Sequence, residues 1–471
     1  MFRSAFLILS GNSFASLLLL VRSVVIAHLI SVSDFGIAST FALSLSIVEM
    51  VSALGVQQQI VQHKDGDERF FQNTLHGLQG VRAIVNAVLL FCLAGPIAAF
   101  FNVPEAAWAY RVMALAPLMN GMAHLDPHRM NRKMRYLPTL ATLVLSALVS
   151  LVLVWPLSRV FTDYSLMLYA VLIQSLTALM ISHLLAERRY RWGFDRSVIG
   201  ESLRFGWPVI LNAILLFLVF NGERLIVGRE LGMGALAVFS MAFTLVLTPT
   251  LVMEGSAQSF FLPQLSAARP DSDRFEHLAV ATLQCHLLFG AVILTGVALL
   301  GGPMVHLLLG PKYAAAIPIL TWLAIMQGIR VSKGGSSAVT LAYAFTENGL
   351  VASLMRVALL PLAWYITATG GSLLHVIWLG ILGELIGFAA SLLLARYRLR
   401  LSLRPLLPQL CMMGAIFLVG ALHAYGQAEP DQANLSPLWT GGALIVLFTL
   451  VVATGKDLRL YVRRRVMTVQ A

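Results

Sequence analysis

The chain has 471 residues, of which 58% are hydrophobic and 12% charged, and a formal net charge of +11. A soluble globule carries about 25% charged residues, so this composition excludes one and indicates a polytopic membrane protein. The three cysteines, Cys92, Cys285 and Cys411, stand far apart inside apolar segments, which argues against a disulfide framework or a metal cluster.

A crossing needs about 20 residues, and the apolar runs predict about fourteen transmembrane helices. The first, near residues 4 to 30, is longer than a signal-peptide core and has no small-residue cleavage site, so it is expected to stay as a helix. The rest fall near 35 to 62, 73 to 101, 106 to 125, 137 to 156, 165 to 186, 203 to 231, 234 to 262, 276 to 301, 314 to 332, 349 to 368, 372 to 395, 406 to 425 and 437 to 455. The expected fold class is an all-α polytopic membrane protein.

Basic residues concentrate on alternate connections: Arg129, Arg132, Lys133 and Arg135; Arg188, Arg189, Arg191, Arg196 and Arg204; residues 396–404; and a tail with Lys456, Arg459, Arg463, Arg464 and Arg465. The opposite loops carry chiefly Arg111, Arg159, Arg229 and Lys312. Positive loops stay inside, which places residues near Arg132, Arg191 and Arg400 in the cytoplasm with both termini, and Asp163 and Asp431 outside. Topology and lipid headgroups account for the net charge, and with no soluble folded domain a nucleic acid is not an expected partner. No loop exceeds about 20 residues, whereas a nucleotide-binding or catalytic domain needs roughly 100. No Gly-x4-Gly-Lys-Ser/Thr motif occurs either. The chain reads as neither an ATPase nor an enzyme.

Eight ionisable side chains interrupt the apolar runs: Arg22, Glu49, Arg82, Glu223, Arg224, Glu254, Arg356 and Glu384. A lone charge at mid-bilayer costs at least about 2.5–3.5 kcal/mol, so these face a protein-lined or wet interior, a polar cavity for a charged cargo. A guanidinium fork grips two oxygens of an anion at once. This makes Arg22, Arg224, Arg82 and Arg356, with Asn212 on the face of Glu223, the candidate substrate-binding residues. Arg22 has an alternative as a structural pair with Glu49, and Arg82 and Arg356, close to helix starts, can instead snorkel to headgroups. Glu49, Glu223 and Glu254 are candidates to carry H+ or Na+, with pairing to an arginine as the duller account. Glu384 has no evident partner in the sequence. No cofactor or metal is expected, since His28, His183, His286, His306 and His375 do not cluster.

A shift of 202 residues superposes Arg22 on Arg224, Leu29 on Leu231 and Phe41 on Phe243. This predicts parallel repeats: a six-helix lobe at 1–200, a second at 201–400, and two more helices with a basic tail at 401–471. The cavity would then lie between the lobes.

The stretch Arg22 through Leu29, Asp34-Phe35-Gly36, Gly55, Ile60-Val61-Gln62, Glu223-Arg224-Leu225-Ile226-Val227-Gly228-Arg229-Glu230-Leu231-Gly232 and Phe261-Leu262-Pro263-Gln264-Leu265 resemble the polysaccharide flippases of the multidrug/oligosaccharidyl-lipid/polysaccharide exporter superfamily. The resemblance spans about residues 1 to 400. It implies six-helix lobes rocking about a central cavity, with helices thirteen and fourteen beside the second lobe. The implied function is to move an undecaprenyl-diphosphate-linked oligosaccharide from the inner to the outer leaflet of the inner membrane. Implied partners are that lipid-linked oligosaccharide, membrane lipids, a polysaccharide polymerase and glycosyltransferases. The family commonly has Asp where Glu223 stands. A drug/cation antiporter of the same fold is the second reading, which four central arginines disfavour. An integral-membrane glycosyltransferase or polymerase is the third, and the loop at 426–436 is too short to house its site.

Overall fold

The computed structural model describes the backbone of residues 2–52, 54–428 and 437–470, and the side chains of 10–50, 52, 54–427 and 438–463. Asp431 and the side chains of Arg464 and Arg465 lie outside the described residues. Hydrocarbon offers a peptide group no hydrogen-bond partner, so each crossing closes its own. Accordingly, every regular element among the described residues is helical. In order they are α1 Phe2–Leu29, α2 Val32–Val51, α3 Val56–Gln62, α4 Arg69–Phe100, α5 Ala107–Met113, α6 Leu115–Gly121, α7 Asp126–Asn131, α8 Leu137–Leu157, α9 Ser165–Leu184 and α10 Arg196–Ile226. There follow α11 Gly232–Ala268, α12 Ser272–Leu308, α13 Ile317–Leu341, α14 Glu347–Val357, α15 Leu360–Ala368, α16 Leu373–Leu399, α17 Leu407–Ala428, α18 Pro437–Thr454 and α19 Lys456–Gln470.

Among the described residues eleven helical runs are long and apolar enough to cross a membrane, or twelve if the bent pair at 438–463 is one span. This is the all-α polytopic fold, and its departures from the expected count of about fourteen have local causes. The run Arg196–Ala268 is 73 residues long, far beyond the ~20 of one crossing. It turns at Gly232, whose φ of +83° is open to glycine and strained for other residues. Residues 106–125, expected as one span, form α5 and α6, each of seven residues.

The chain forms two compact units, Met1–Ala237 and Val238–Ala471. In the first, α1 packs on α8, α8 on α9, α4 on α5 and α6, and α10 on α2 and α4. A Cβ added at Gly36 of α2 would lie 2.0 Å from the Met233 carbonyl oxygen, so only glycine allows this backbone approach. In the second unit, α12 packs on α13, α13 and α14 on α16, α17 on α18, and α19 on α12.

The basic loop charges also hold the first unit together. Arg129, whose side chain is 3% exposed, divides its guanidinium among three carboxylates: Nε to Asp126 at 2.5 Å, Nη1 to Asp67 at 2.8 Å and Nη2 to Glu187 at 3.1 Å. Burial pushes the Asp126 carboxyl up, but hydrogen bonds from Arg129, the Glu187 N–H and Gln72 outweigh it and hold the group at about 2. Arg132 Nη1 donates to the carbonyls of Ile60, Val61 and His63, closing the C-terminal end of α3.

Candidate functional site

In the second unit Glu384 of α16 is fully buried and meets three cations. Its Oε1 accepts from Arg330 Nε at 2.7 Å and from Arg356 Nε at 3.0 Å, while Oε2 accepts from Lys333 Nζ at 2.8 Å. Arg330 and Lys333 reach it together because they lie about one turn apart on α13. Arg356 Nη1 also donates to the Gly380 carbonyl at 3.2 Å. At 2% exposure Arg356 is inside the protein, so the snorkelling alternative fails for it. Arg330 and Lys333 are the candidates that sequence reasoning missed. The available signal was a pair of cations three residues apart at the end of an apolar run.

Glu254 of α11 completes this cluster. Its Oε1 lies 2.9 Å from where a Cβ on Gly334 would stand, and Lys333 and Arg330 act on it electrostatically. Three cations therefore face two carboxylates, a formal excess of one positive charge. Lys333, with its side chain 12% exposed, and the half-buried Glu254 form the more open edge. An anion could add there without displacing the inner Arg330–Glu384–Arg356 contacts.

In the first unit Arg22 is 8% exposed. Its Nη1 donates to Ser150 Oγ of α8 at 2.9 Å and to Gln174 Oε1 of α9 at 2.5 Å, and its buried Nε has no protein partner. These acceptors are uncharged, and among the described residues no carboxylate forms an ion pair with the guanidinium. The pair with Glu49 does not form: Glu49 Oε1 accepts from Asn120 Nδ2 at 2.8 Å, and Arg82 is the cation acting on it. Arg82 Nη1 donates to the Ser52 carbonyl at 3.2 Å, and Asn86 Nδ2 to Ser52 Oγ at 2.7 Å. Thus α4 closes the C-terminal end of α2. Asn12 and Ser16, on a neighbouring stripe of α1, are exposed.

Glu223 and Arg224 occupy the last turn of α10, just before a π-helical turn at Val227–Leu231. Glu223 is 2% exposed, and Arg224 Nη1 reaches Asn221 Oδ1 at 3.5 Å. Asn212 is exposed. Beyond them Arg229 Nη1 donates to the carbonyls of Ala99 and Phe100 and to Asn102 Oδ1, capping α4. The structure thus gathers Glu49 with Arg82, and Arg356 and Glu254 around Glu384, while Arg22 sits with neutral partners. Among the described residues no group of three or more His, Cys, Asp or Glu is placed to hold a metal.

The polysaccharide biosynthesis protein family matches residues 25–318, which is more than half of the chain. The teichuronic acid biosynthesis protein TuaB of Bacillus subtilis (strain 168) is 21% identical over 426 residues, covering 86% of this chain and 86% of TuaB. The succinoglycan biosynthesis transport protein ExoT of Rhizobium meliloti (strain 1021) is 24% identical over 316 residues, 65% of this chain and 62% of ExoT; less than two thirds of that relative is spanned. Among solved structures, an inward-facing multidrug resistance MATE family transporter of the MOP superfamily has a TM-score of 0.68 at 15% identity, covering 82% of this chain and 94% of that one. The lipid II flippase MurJ in an inward closed conformation has a TM-score of 0.68 at 14% identity, covering 98% of this chain and 100% of MurJ. The apolar helices, the shared fold and the extent of the family match lead to one conclusion: the chain is a multi-pass membrane protein that belongs to the polysaccharide biosynthesis protein family, with the fold of the MOP-superfamily transporters.

Proposed function

We propose that the chain is an alternating-access flippase that carries a polyprenyl-diphosphate-linked oligosaccharide from the inner to the outer leaflet of the cytoplasmic membrane, with both termini inside. The observation that carries this reading is the excess of buried cations over carboxylates in a member of this family: Arg330, Lys333 and Arg356 against Glu384 and Glu254, and Arg22 among neutral acceptors. Buried positive charge of this kind, present in each unit, suits a diphosphate, which charge-assisted hydrogen bonds hold strongly. The names of TuaB, ExoT and MurJ support this cargo class. Arg22, Arg82, Arg224, Arg356 and Asn212 are the proposed substrate-binding residues, joined by Lys333. Glu49, Glu223 and Glu254 are the proposed H+ or Na+ carriers; Glu384, already neutralised by three cations, is scaffold. The lobes are proposed at 1–200 and 201–400, with 401–471 as the additional pair, and glycosyltransferases and a polymerase as the enzymes that supply and consume the cargo.

A drug/cation antiporter is the second reading, favoured by the likeness to the MATE transporter. The same cation excess repels a cationic drug. Proteoliposomes holding headgroup-tagged lipid-linked oligosaccharide test both, with flipping read as access to a membrane-impermeant reagent. Flipping that slows in Glu49→Gln and Glu254→Gln, with altered dependence on pH or Na+, is expected. Transport of lipophilic cations without any flipping would replace the flippase by the antiporter. Flipping indifferent to every gradient and to both substitutions would remove ion coupling through these residues.

A further inference from the structure

A cavity of about 330 Å³ opens in the second unit where α19 bends by 64° from α18. Its walls are apolar, with Leu288 of α12, Val451 and Val452 of α18, and Leu458 and Val462 of α19. Three polar groups interrupt them. Arg459 and Arg463 stand four residues apart on one face of α19 and both line the cavity. Gln409 of α17 is the third: it is 1% exposed, its Nε2 donates to the Gln284 and Val451 carbonyls, and its Oε1 has no partner among the described residues. The first two turns of α19 are fixed here, since the Leu458 N–H donates to Gln284 Oε1 at 2.9 Å, Arg459 Nη2 to the Ala453 carbonyl at 2.6 Å and Tyr461 Oη to Gln264 Oε1 at 2.5 Å.

We infer that this cavity is a structural lipid site for one anionic glycerophospholipid, distinct from the proposed transport cargo. Apolar walls hold hydrocarbon in preference to water, which fits an acyl chain. Two arginines at i and i+4 fit a phosphodiester, and basic pockets between transmembrane helices take anionic head groups. An unpartnered buried carbonyl oxygen calls for a donor, which a headgroup hydroxyl supplies and a choline does not. Phosphatidylglycerol meets all three requirements. Bound there, it would tie α19 to α12 and α17 and fix the bend after α18.

The full chain, purified in detergent, is incubated with phosphatidylglycerol, phosphatidylcholine or undecaprenyl phosphate and examined by native mass spectrometry. One retained phosphatidylglycerol is expected, preferred over phosphatidylcholine with the same acyl chains. In the doubly substituted Arg459→Gln, Arg463→Gln protein its retention falls by about tenfold or more. Val452→Trp, which fills the cavity and keeps both arginines, also loses the lipid, whereas Arg398→Gln, at an arginine paired with Glu347, keeps it. Equal retention of the two phospholipids, or retention by the arginine variant, overturns the site. Stoichiometric displacement of phosphatidylglycerol by undecaprenyl phosphate also overturns it, because the cavity would then belong to the cargo.

Discussion

Arg330 of α13 and Arg356 of α14 are joined through a single atom: the Nε of each donates to Oε1 of Glu384, at 2.7 and 3.0 Å. Two guanidinium groups so placed repel each other, and the charge on the carboxylate between them offsets that repulsion. Glu384→Gln is therefore expected to lower stability by about 3–5 kcal/mol, the cost of leaving a buried charge uncompensated. Thermal unfolding in detergent measures this. Adding Arg356→Met should recover part of the loss, and an unchanged melting temperature in Glu384→Gln would show that the carboxylate is not the hub.

Arg22 makes a different prediction because its partners are neutral. Arg22→Ala should abolish flipping at normal membrane abundance, and Arg22→Lys should restore only part, since an ammonium lacks the planar fork. Neutralising Glu49 in the Arg22→Ala background should bring no rescue, because the two residues do not touch. A rescue would mean that they pair in another state of the transport cycle and that the arginine is scaffold.

The Asp126 carboxyl gives a pH dependence of known sign. Held at about 2 instead of the usual 3.8, it contributes full stability above roughly pH 4 and loses that contribution as the pH falls through about 2. Asp126→Asn should cost about 1.5–3 kcal/mol at neutral pH, the worth of hydrogen bonds to a charged group. The gap in melting temperature between wild type and variant should stay constant from about pH 8 to 5 and close below about pH 3. A gap that widens on acidification would contradict the network.

Topology is open to single-cysteine labelling on a background with Cys92, Cys285 and Cys411 replaced. Lys133→Cys, Arg191→Cys and Arg400→Cys should react only from the cytoplasmic side, and Thr162→Cys, beside Asp163, only from outside. Outward labelling at position 191 would overturn the proposed orientation.

The helices were legible because their signal is local: an apolar run long enough to cross, ended by charge or glycine. The ion cluster was not, since Glu384 finds its partners 54, 51 and 28 residues away. Nothing in the immediate surroundings of α16 points to them. Lys333 lies just past the end of an apolar run, where it reads as an ordinary flanking charge. Arg22 was visible as a buried cation, but Ser150 and Gln174, 128 and 152 residues on, are neutral residues whose role appears only once α1, α8 and α9 are packed. The loop arginines were read as topological markers; that Arg129 also binds three carboxylates depends on the close approach of segments near 67, 126 and 187.

The π turn at Val227–Leu231 holds one residue more than an α-helical turn would. Each residue advances an α-helix by about 100°, so deleting Val227 or Gly228, both upstream of Arg229, would restore regular pitch and swing Arg229 away from the carbonyls of Ala99 and Phe100. Glu223 and Arg224, upstream, would keep their places. That single indel separates the capping of α4 from the buried Glu223 and its neighbour Arg224 one turn earlier, two roles that any longer truncation would confound.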